Sequence, residues 1–472
     1  MMFKLKPLFV FSTLVVILAV SVTIFNTDHY KVVNFRLGLS RNYPLLKYLE
    51  GLFRKTRKDN EILGTPGSPY CVRWLAPILS GGGYSTEAWS YILALGGLDE
   101  NVKMSIEQHG DLLNMEFWEG LPEEMRKLAV ELHQTKCRLN ETIIVCHSEP
   151  GAWYPPLFET LPCPEIGYGK YRIVIGRTMF ETDRVNAHHV ERCNRMDYVW
   201  VPTDFHVTTF VQSGVDPSKV VKIVQPVDWK FFDPVKYKPF NLPSKGTLVL
   251  GSRPAKKSDN HFVFLSVFKW EYRKGWDVLL RSYLKEFSEA DGVSLYLLTN
   301  PYYTESDFGN KILEFVAGSD LKRPAHGWAP VYVIDSHIAQ IDFPRIYKAA
   351  DAFVLPSRGE GWGRPIVEAM AMSLPVIITN WSGPTEYMTK ENSYPLPVER
   401  MSDVMEGPFQ GHLWAEPSAD KLQNLMRHVM SNPEEAKAKG RQAREDMINR
   451  YSPEIVAGIV RDHLQQIFEK TL

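Results

Sequence analysis

Charge of one sign, metal-binding cysteine pairs and internal repeats are all missing from this sequence, and each absence closes a class of function. The 54 Lys and Arg against 55 Asp and Glu leave a formal net charge of −1, and the bases are dispersed, which excludes a chain that binds nucleic acid over its whole surface. The five cysteines (Cys71, Cys137, Cys146, Cys163, Cys193) show no C-x-x-C spacing, so no zinc site is indicated. No segment recurs with a period of ~20–50 residues, which argues against a solenoid. Apolar runs long enough to cross a bilayer are absent too, with one exception at the N-terminus.

Between Pro7 and Phe25 no residue is charged; Lys4 and Lys6 precede the run and Asp28 and His29 follow it. At about 1.5 Å per residue such a helix approaches the ~30 Å hydrocarbon core. The lysines place the short end in the cytoplasm. The expectation is a cytoplasmic tail at 1–6, a transmembrane signal-anchor at 7–25 and a stem at 26–65. That is a single-pass type II membrane protein of the Golgi or endoplasmic reticulum, with its body lumenal. The alternative is a cleaved signal peptide ending near Ala19-Val20-Ser21. Either compartment permits disulfides, and five cysteines leave at least one thiol over; buried free thiols are the other reading. Asn140-Glu141-Thr142 is a glycosylation sequon. Asn380-Trp381-Ser382 also fits the pattern but reads as part of a packed strand and loop.

The remainder, in a chain 44% hydrophobic and 23% charged, has the texture of a folded globular protein. Short apolar runs alternate with amphipathic stretches: Val72–Leu75, Ile143–Cys146, Ile173–Ile175, Tyr198–Val201 and Val220–Val224. After a proline- and lysine-rich break containing one strand-like island, Thr247–Leu250, the alternation resumes. It runs through His261–Leu265, Val293–Leu298, Val331–Ile334, Ala352–Leu355 and Val376–Thr379. Such alternation predicts βα units and parallel sheets. The expected fold is α/β, with two doubly wound, Rossmann-like domains facing a cleft. Residues 66–235 form the first domain, 236–259 a linker, 260–450 the second domain and 451–472 a C-terminal helix. Ligands of such sheets sit beyond the carboxyl ends of the strands.

The most informative stretch runs from Ala352 to Gly383. A strand ends near Pro356, and a loop carries Glu360 among Gly359, Gly361 and Gly363. Pro365 stands where a helix would begin. Glycines let backbone approach a ligand, and free N–H groups at a helix start favour phosphate. Glu368, near the start of that helix, is placed to share a pocket with Glu360. This segment resembles the E-x7-E motif of the family 4 retaining glycosyltransferases, glycosyl transferases group 1, whose fold is GT-B. The resemblance extends from about Tyr70 to Phe468. It implies that Glu360 contacts the donor sugar and Glu368 the ribose hydroxyls, with the backbone of Gly361, Trp362 and Gly363 beside them. Trp362 and the Tyr302-Tyr303 pair are candidates to line the site, with packing as the alternative.

A second stretch, Ser266 to Leu280, resembles the family's strand-to-helix turn, where an arginine and a lysine neutralise the donor diphosphate. Lys274, followed by Gly275, matches the lysine. Lys269 stands at the arginine position, which keeps the charge but loses the bidentate fork. Arg273 reads as a surface residue. Ile78 to Ala88 resembles the family's glycine-rich loop, with Gly82 and Gly83 as the expected contacts. The family's first-domain histidine is missing from Tyr171–Asp183, where Thr178 falls nearest its position and Arg177, Glu181 and Asp183 are close by. His147 is the substitute candidate for the same cleft. The stretches Val201–Phe205 and Ile223–Pro234 also match, the latter as a structural segment closing the first domain.

No two aspartates are separated by a single residue, so the metal clamp of the other major glycosyltransferase fold is not encoded. The expected reaction is metal-independent transfer with retention. A nucleotide-diphospho-sugar is the donor, no cofactor is required, and a glycan, lipid or protein hydroxyl is the acceptor. The alternatives are an inactive sugar-nucleotide or glycan-binding protein on the same fold, or a sugar-nucleotide epimerase.

Overall fold

The computed structural model describes Tyr70–Thr471 apart from residues 99–101, 112, 254–260, 301–306, 406 and 408. All of these lie in one compact unit, Gly64–Leu472. The expected membrane anchor, stem and Tyr302-Tyr303 pair lie outside the described residues. No helix among the described residues is long and apolar enough to cross a membrane.

Two sheets organise the unit. The first contains β1 (Cys71–Ala76), β2 (Lys103–Gln108), β3 (Thr142–His147), β4 (Ile173–Arg177), β5 (Tyr198–Val201) and β6 (Val220–Lys222) in the order β2-β1-β3-β4-β5-β6. All of its pairings are parallel. β3 is buried at every residue, as expected of a parallel strand covered on both faces. Its helices include α1 (Gly83–Leu98), α2 (Ala187–Arg195) and α3 (Asp204–Gln212).

The second sheet contains β7 (Thr247–Leu250), β8 (Phe262–Lys269), β9 (Val293–Asn300), β10 (Val331–Ile334), β11 (Ala352–Leu355), β12 (Val376–Thr379) and β13 (Tyr394–Leu396). Their order is β13-β12-β11-β8-β9-β10-β7, and β7 alone among the described strands of this sheet runs antiparallel, against β10. The island read as part of a linker is therefore the edge of the second sheet, because its aliphatic residues find ladder partners in Val331–Val333. A hairpin follows, β14 (Val398–Asp403) with β15 (Leu413–Pro417). The second sheet's helices include α4 (Trp276–Glu286), α5 (Phe343–Lys348), α6 (Arg364–Ala371), α7 (Ala419–Ser431) and α8 (Pro433–Tyr451).

The chain then returns to the first sheet. After Ser452, α9 (Pro453–Glu469) lays Val456, Val460, Leu464, Ile467 and Phe468 into the first domain's core with Tyr91, Ile92 and Leu95 of α1. The apolar stripe of α9 is completed only there.

Cys71–Cys137 and Cys146–Cys163 are disulfide-bonded, and Cys193 is a buried free thiol. The first bond ties β1 to the segment before β3. The second pins the loop that follows β3.

Candidate functional site

β8 pairs with β9 on one side and β11 on the other, so the strand order reverses between β8 and β11. The two motifs singled out in the second half of the sequence leave the carboxyl ends of those two strands. They meet at the place where open α/β sheets bind ligands. After β8 a short turn, Tyr272–Lys274, ends at Gly275 in the left-handed region (φ 67°), and α4 begins. A Cβ at Gly275 would lie 1.9 Å from the Pro356 carbonyl oxygen, so only glycine lets the two turns touch.

The contact brings Lys274 onto Glu360. Lys274 Nζ donates to both carboxylate oxygens, at 2.7 and 2.9 Å. Arg273 Nη1 donates to the Gly359 carbonyl at 2.6 Å and stands 3.6 Å from the Glu360 carboxylate. The Ser382 hydroxyl accepts from the Glu360 backbone N–H at 2.9 Å. Burial alone would raise the Glu360 carboxyl; Lys274 and Arg273 outweigh it and hold the group below its ordinary value. The structure thus overturns the reading of Arg273 as a surface residue, since its guanidinium grips the same loop as Lys274. Two consecutive bases before a glycine at a strand-to-helix turn were the available signal. Lys269, by contrast, is exposed at the end of β8.

Glu368 lies on α6 with a different set of partners. Tyr347 of α5 donates to its carboxylate at 2.9 Å, and Arg364 is 3.9 Å away. Burial raises this carboxyl, with Arg364 and the Tyr347 bond opposing. Arg358, which carried no assignment, is fully buried and locks the loop. It bonds Asp277 of α4 and Glu416 of β15 through paired contacts and stacks 3.7 Å above the Tyr272 ring.

The loop glycines serve protein contacts. A Cβ at Gly359 would lie 2.1 Å from the Glu181 carbonyl oxygen, and one at Gly361 would lie 2.7 Å from Met179. The loop is therefore pressed against residues 179–181, which follow β4 of the first domain. The same junction continues at Asp183, whose backbone and carboxylate bond Leu413. Gly363 opens α6 in the left-handed region (φ 89°). Trp362 does not line the site: it is buried against Tyr387 and Tyr451, and Tyr387 donates to its carbonyl at 2.6 Å.

In the first domain, Gly82 lies between β1 and α1 and Gly83 is the first residue of α1, at the reversal of strand order between β1 and β3. Asp111 lies beside Gly82, with its Oδ2 3.6 Å from where a Cβ would be. Tyr84 reaches across to the end of β4, where its hydroxyl lies 3.2 Å from both Thr178 Oγ1 and the Met179 carbonyl. Thr178, nearest the position of the missing histidine, is itself fully buried.

His147 is not brought to the cleft. It is fully buried beneath Tyr84, with Nδ1 accepting from Trp74 Nε1 at 3.1 Å. The indole N–H only donates, so Nδ1 is bare and the proton sits on Nε2. That nitrogen stands 3.1 Å from Glu87, off the line of a good hydrogen bond. Burial pushes the imidazole down. Arg177 donates to the same Glu87 carboxylate and to the Ile223 carbonyl at 2.7 Å. Glu87 was missed; its signal was one carboxylate in the apolar stripe of α1.

Residues 259–403 match the family model of glycosyl transferases group 1. That span holds Lys269, Arg273, Lys274, Glu360 and Glu368. Mannosylfructose-phosphate synthase of Agrobacterium fabrum (strain C58) is 29% identical over 124 residues, a stretch covering 26% of this chain and 26% of that protein. HepE of Anabaena, solved with UDP and glucose, superposes with a TM-score of 0.58 at 14% identity, over 84% of this chain and 100% of that one. Sucrose-phosphate synthase of Thermosynechococcus elongatus gives 0.56 at 15% identity, over 85% and 100%. The fold is GT-B-like, and the chain carries a group 1 glycosyl transferase segment.

Proposed function

We propose that this protein is a retaining glycosyltransferase that works without a metal ion, moving a sugar from a nucleotide-diphospho-sugar to an acceptor hydroxyl. The observation that carries the reading is the Lys274–Glu360 pair, with Arg273 beside it, at the strand-order reversal of the second sheet. Departure of a nucleoside diphosphate builds negative charge, and two cations beside the starts of α4 and α6 are placed to receive it. The ionised Glu360 accepts hydrogen bonds from donor-sugar hydroxyls, and Glu368 those of the ribose. HepE, which shares the fold, was solved with UDP and glucose, which supports a nucleotide-sugar donor here. The acceptor oxygen bonds to the sugar carbon as its bond to the diphosphate breaks. The leaving phosphate takes the acceptor proton, and both events occur on one face. The binding-protein and epimerase alternatives share the fold but not this outcome.

The same reading places the protein in the secretory pathway, anchored by residues 7–25. Its supports are the two disulfides, the exposed Asn140 sequon and the uncharged N-terminal run. In the second sequon Asn380 is also exposed, but Ser382 is buried under Glu360.

The test is a screen of sugar nucleotides for thermal stabilisation, followed by NMR of the product's anomeric configuration. Lys274→Ala and Glu360→Gln are each expected to lower turnover ~100-fold or more, the scale of losing a charge contact to the transition state, in protein whose cooperative melting shows it still folded at the assay temperature. Stabilisation by a donor without turnover would indicate a binding protein. An altered donor sugar would indicate an epimerase.

A further inference from the structure

The loop that follows β3 is held rigidly yet leaves large apolar side chains in solvent. Tyr154, Leu157, Phe158, Leu161 and Ile166 are 41%, 45%, 45%, 66% and 53% exposed. Large apolar side chains left in solvent along one short loop are the kind of surface that marks an interaction site. Their exposure is not a consequence of looseness. The Cys146–Cys163 bond closes the loop, the Tyr154 N–H donates to the Cys163 carbonyl at 2.9 Å, and Arg192 donates to the Pro155 carbonyl at 2.6 and 2.9 Å. His109 Nδ1 holds the Leu161 carbonyl at 2.7 Å.

The position of the loop ties it to the site. Thr160 bonds the Gly110 carbonyl, and the next residue, Asp111, is the carboxylate beside Gly82. The apolar stretch therefore continues from the rim of the first-domain half of the cleft. Its own charge is acidic: from Ser148 to Gly169 there is no Lys or Arg, and of its three carboxylates Glu165 is paired with Arg73 at 2.9 Å, which leaves Glu149 and Glu159 to set the sign of the rim. Asp111 and Glu181 lie close enough to Glu149 to raise its carboxyl further after burial has done so. Such a rim disfavours anionic partners, including phosphate-linked lipids and acidic membrane surfaces, and favours cations.

We infer that this loop is a docking surface for a polypeptide acceptor that presents apolar side chains together with Lys or Arg. The inference rests on the transferase reading only in naming the partner an acceptor; the binding it describes is measurable without turnover. Apolar knobs supply the contact area, and the acidic rim selects the partner and sets its register against the cleft.

The test uses the full chain and two fluorescein-labelled peptides of Leu and Phe, one interspersed with Lys and one with Glu at the same places. Anisotropy is expected to show the Lys peptide binding at least tenfold more tightly than the Glu peptide. That preference should weaken as salt rises. Combined Leu157→Ser, Leu161→Ser and Ile166→Ser replacement should weaken the Lys peptide at least tenfold. Glu159→Lys should narrow or reverse the preference. All four residues are exposed, and an unchanged melting temperature confirms the fold. Equal binding of both peptides, or binding indifferent to these substitutions, overturns the inference. So does co-flotation with phosphatidylcholine vesicles that the serine variant abolishes, which would assign the loop to a bilayer. A dimer in sedimentation that the serine variant dissolves would assign it to a second copy of this chain. Donor-induced stabilisation, read in the same preparations, reports on the transferase reading separately.

Discussion

Glu87 keeps a full charge where water does not reach, because Arg177 and the Nε2–H of His147 face it from the ends of β4 and β3. Burial would raise its carboxyl, but the two partners more than offset that and bring it down to about 2, against 4.5 for a free glutamate. A depressed carboxylate contributes stability that is present above pH 4.5 and is lost as pH falls from there toward 2. The contribution is about 3 kcal/mol. Glu87→Gln leaves Arg177 buried without its counter-charge and is expected to cost about 3–5 kcal/mol at neutral pH. It should also flatten the acid limb of the stability curve between pH 4.5 and 2. Urea unfolding at a series of pH values checks both; an unchanged acid limb would remove Glu87 from this account. The sequence put Glu360, Lys274 and Glu368 forward because a motif binds those residue types to a spacing, and the fold brings the first two into contact. It could not show that Arg273 points into the loop, because one-residue differences in direction at a turn depend on the Gly275 conformation. Nor could it show that His147 faces inward, since the Trp74 bond that settles this joins residues far apart in the chain.

At the scale of elements, α8 carries a glycine where a helix would ordinarily gain from alanine. A Cβ on Gly440 would lie 2.1 Å from the Ser373 carbonyl oxygen, just beyond α6, so α8 passes closer to that turn than any side chain allows. Helix propensity favours Gly440→Ala by about 1 kcal/mol, yet the clash is with backbone, which yields poorly. The substitution is expected to destabilise by about 1–3 kcal/mol, and to disturb α6 and therefore Glu368. Chemical denaturation alongside a donor-binding titration tests this, and a stabilised variant would count against the packing. Strands with continuous aliphatic runs were legible, and Tyr198–Val201, Val331–Ile334, Ala352–Leu355 and Val376–Thr379 fall where the sequence placed them. β2, with Lys103, Ser105 and Glu107, and the polar hairpin β14–β15 were not, because edge and hairpin strands need only one apolar face. The glycines around Glu360 were legible as a close approach. What approaches them is residues 179–181, which follow a strand of the other sheet, and that is a property of tertiary contact alone.

Across the whole folded unit, the feature that decides how the two sheets depend on each other is the return of α9. The first sheet's core is unfinished without it, because Val456, Val460, Leu464, Ile467 and Phe468 fill the face of α1 that carries Tyr91, Ile92 and Leu95. Each such side chain is worth about 1.5–3 kcal/mol when fully buried. The five together rival the entire 5–15 kcal/mol by which a domain is ordinarily stable. The C-terminal helix at 451–472 is thus part of the first domain in space while following the second in sequence. A fragment of residues 66–235 is expected to be insoluble or unfolded. The same fragment fused through a flexible linker to residues 451–472 is expected to unfold cooperatively in urea. Chemical-shift dispersion in one-dimensional NMR distinguishes the two states without any substrate. A well-folded 66–235 fragment would show that α9 merely rests on the first domain. An unfolded one means that the first sheet's core cannot close until Pro453–Glu469, which follows the second sheet in the chain, is available to fill it.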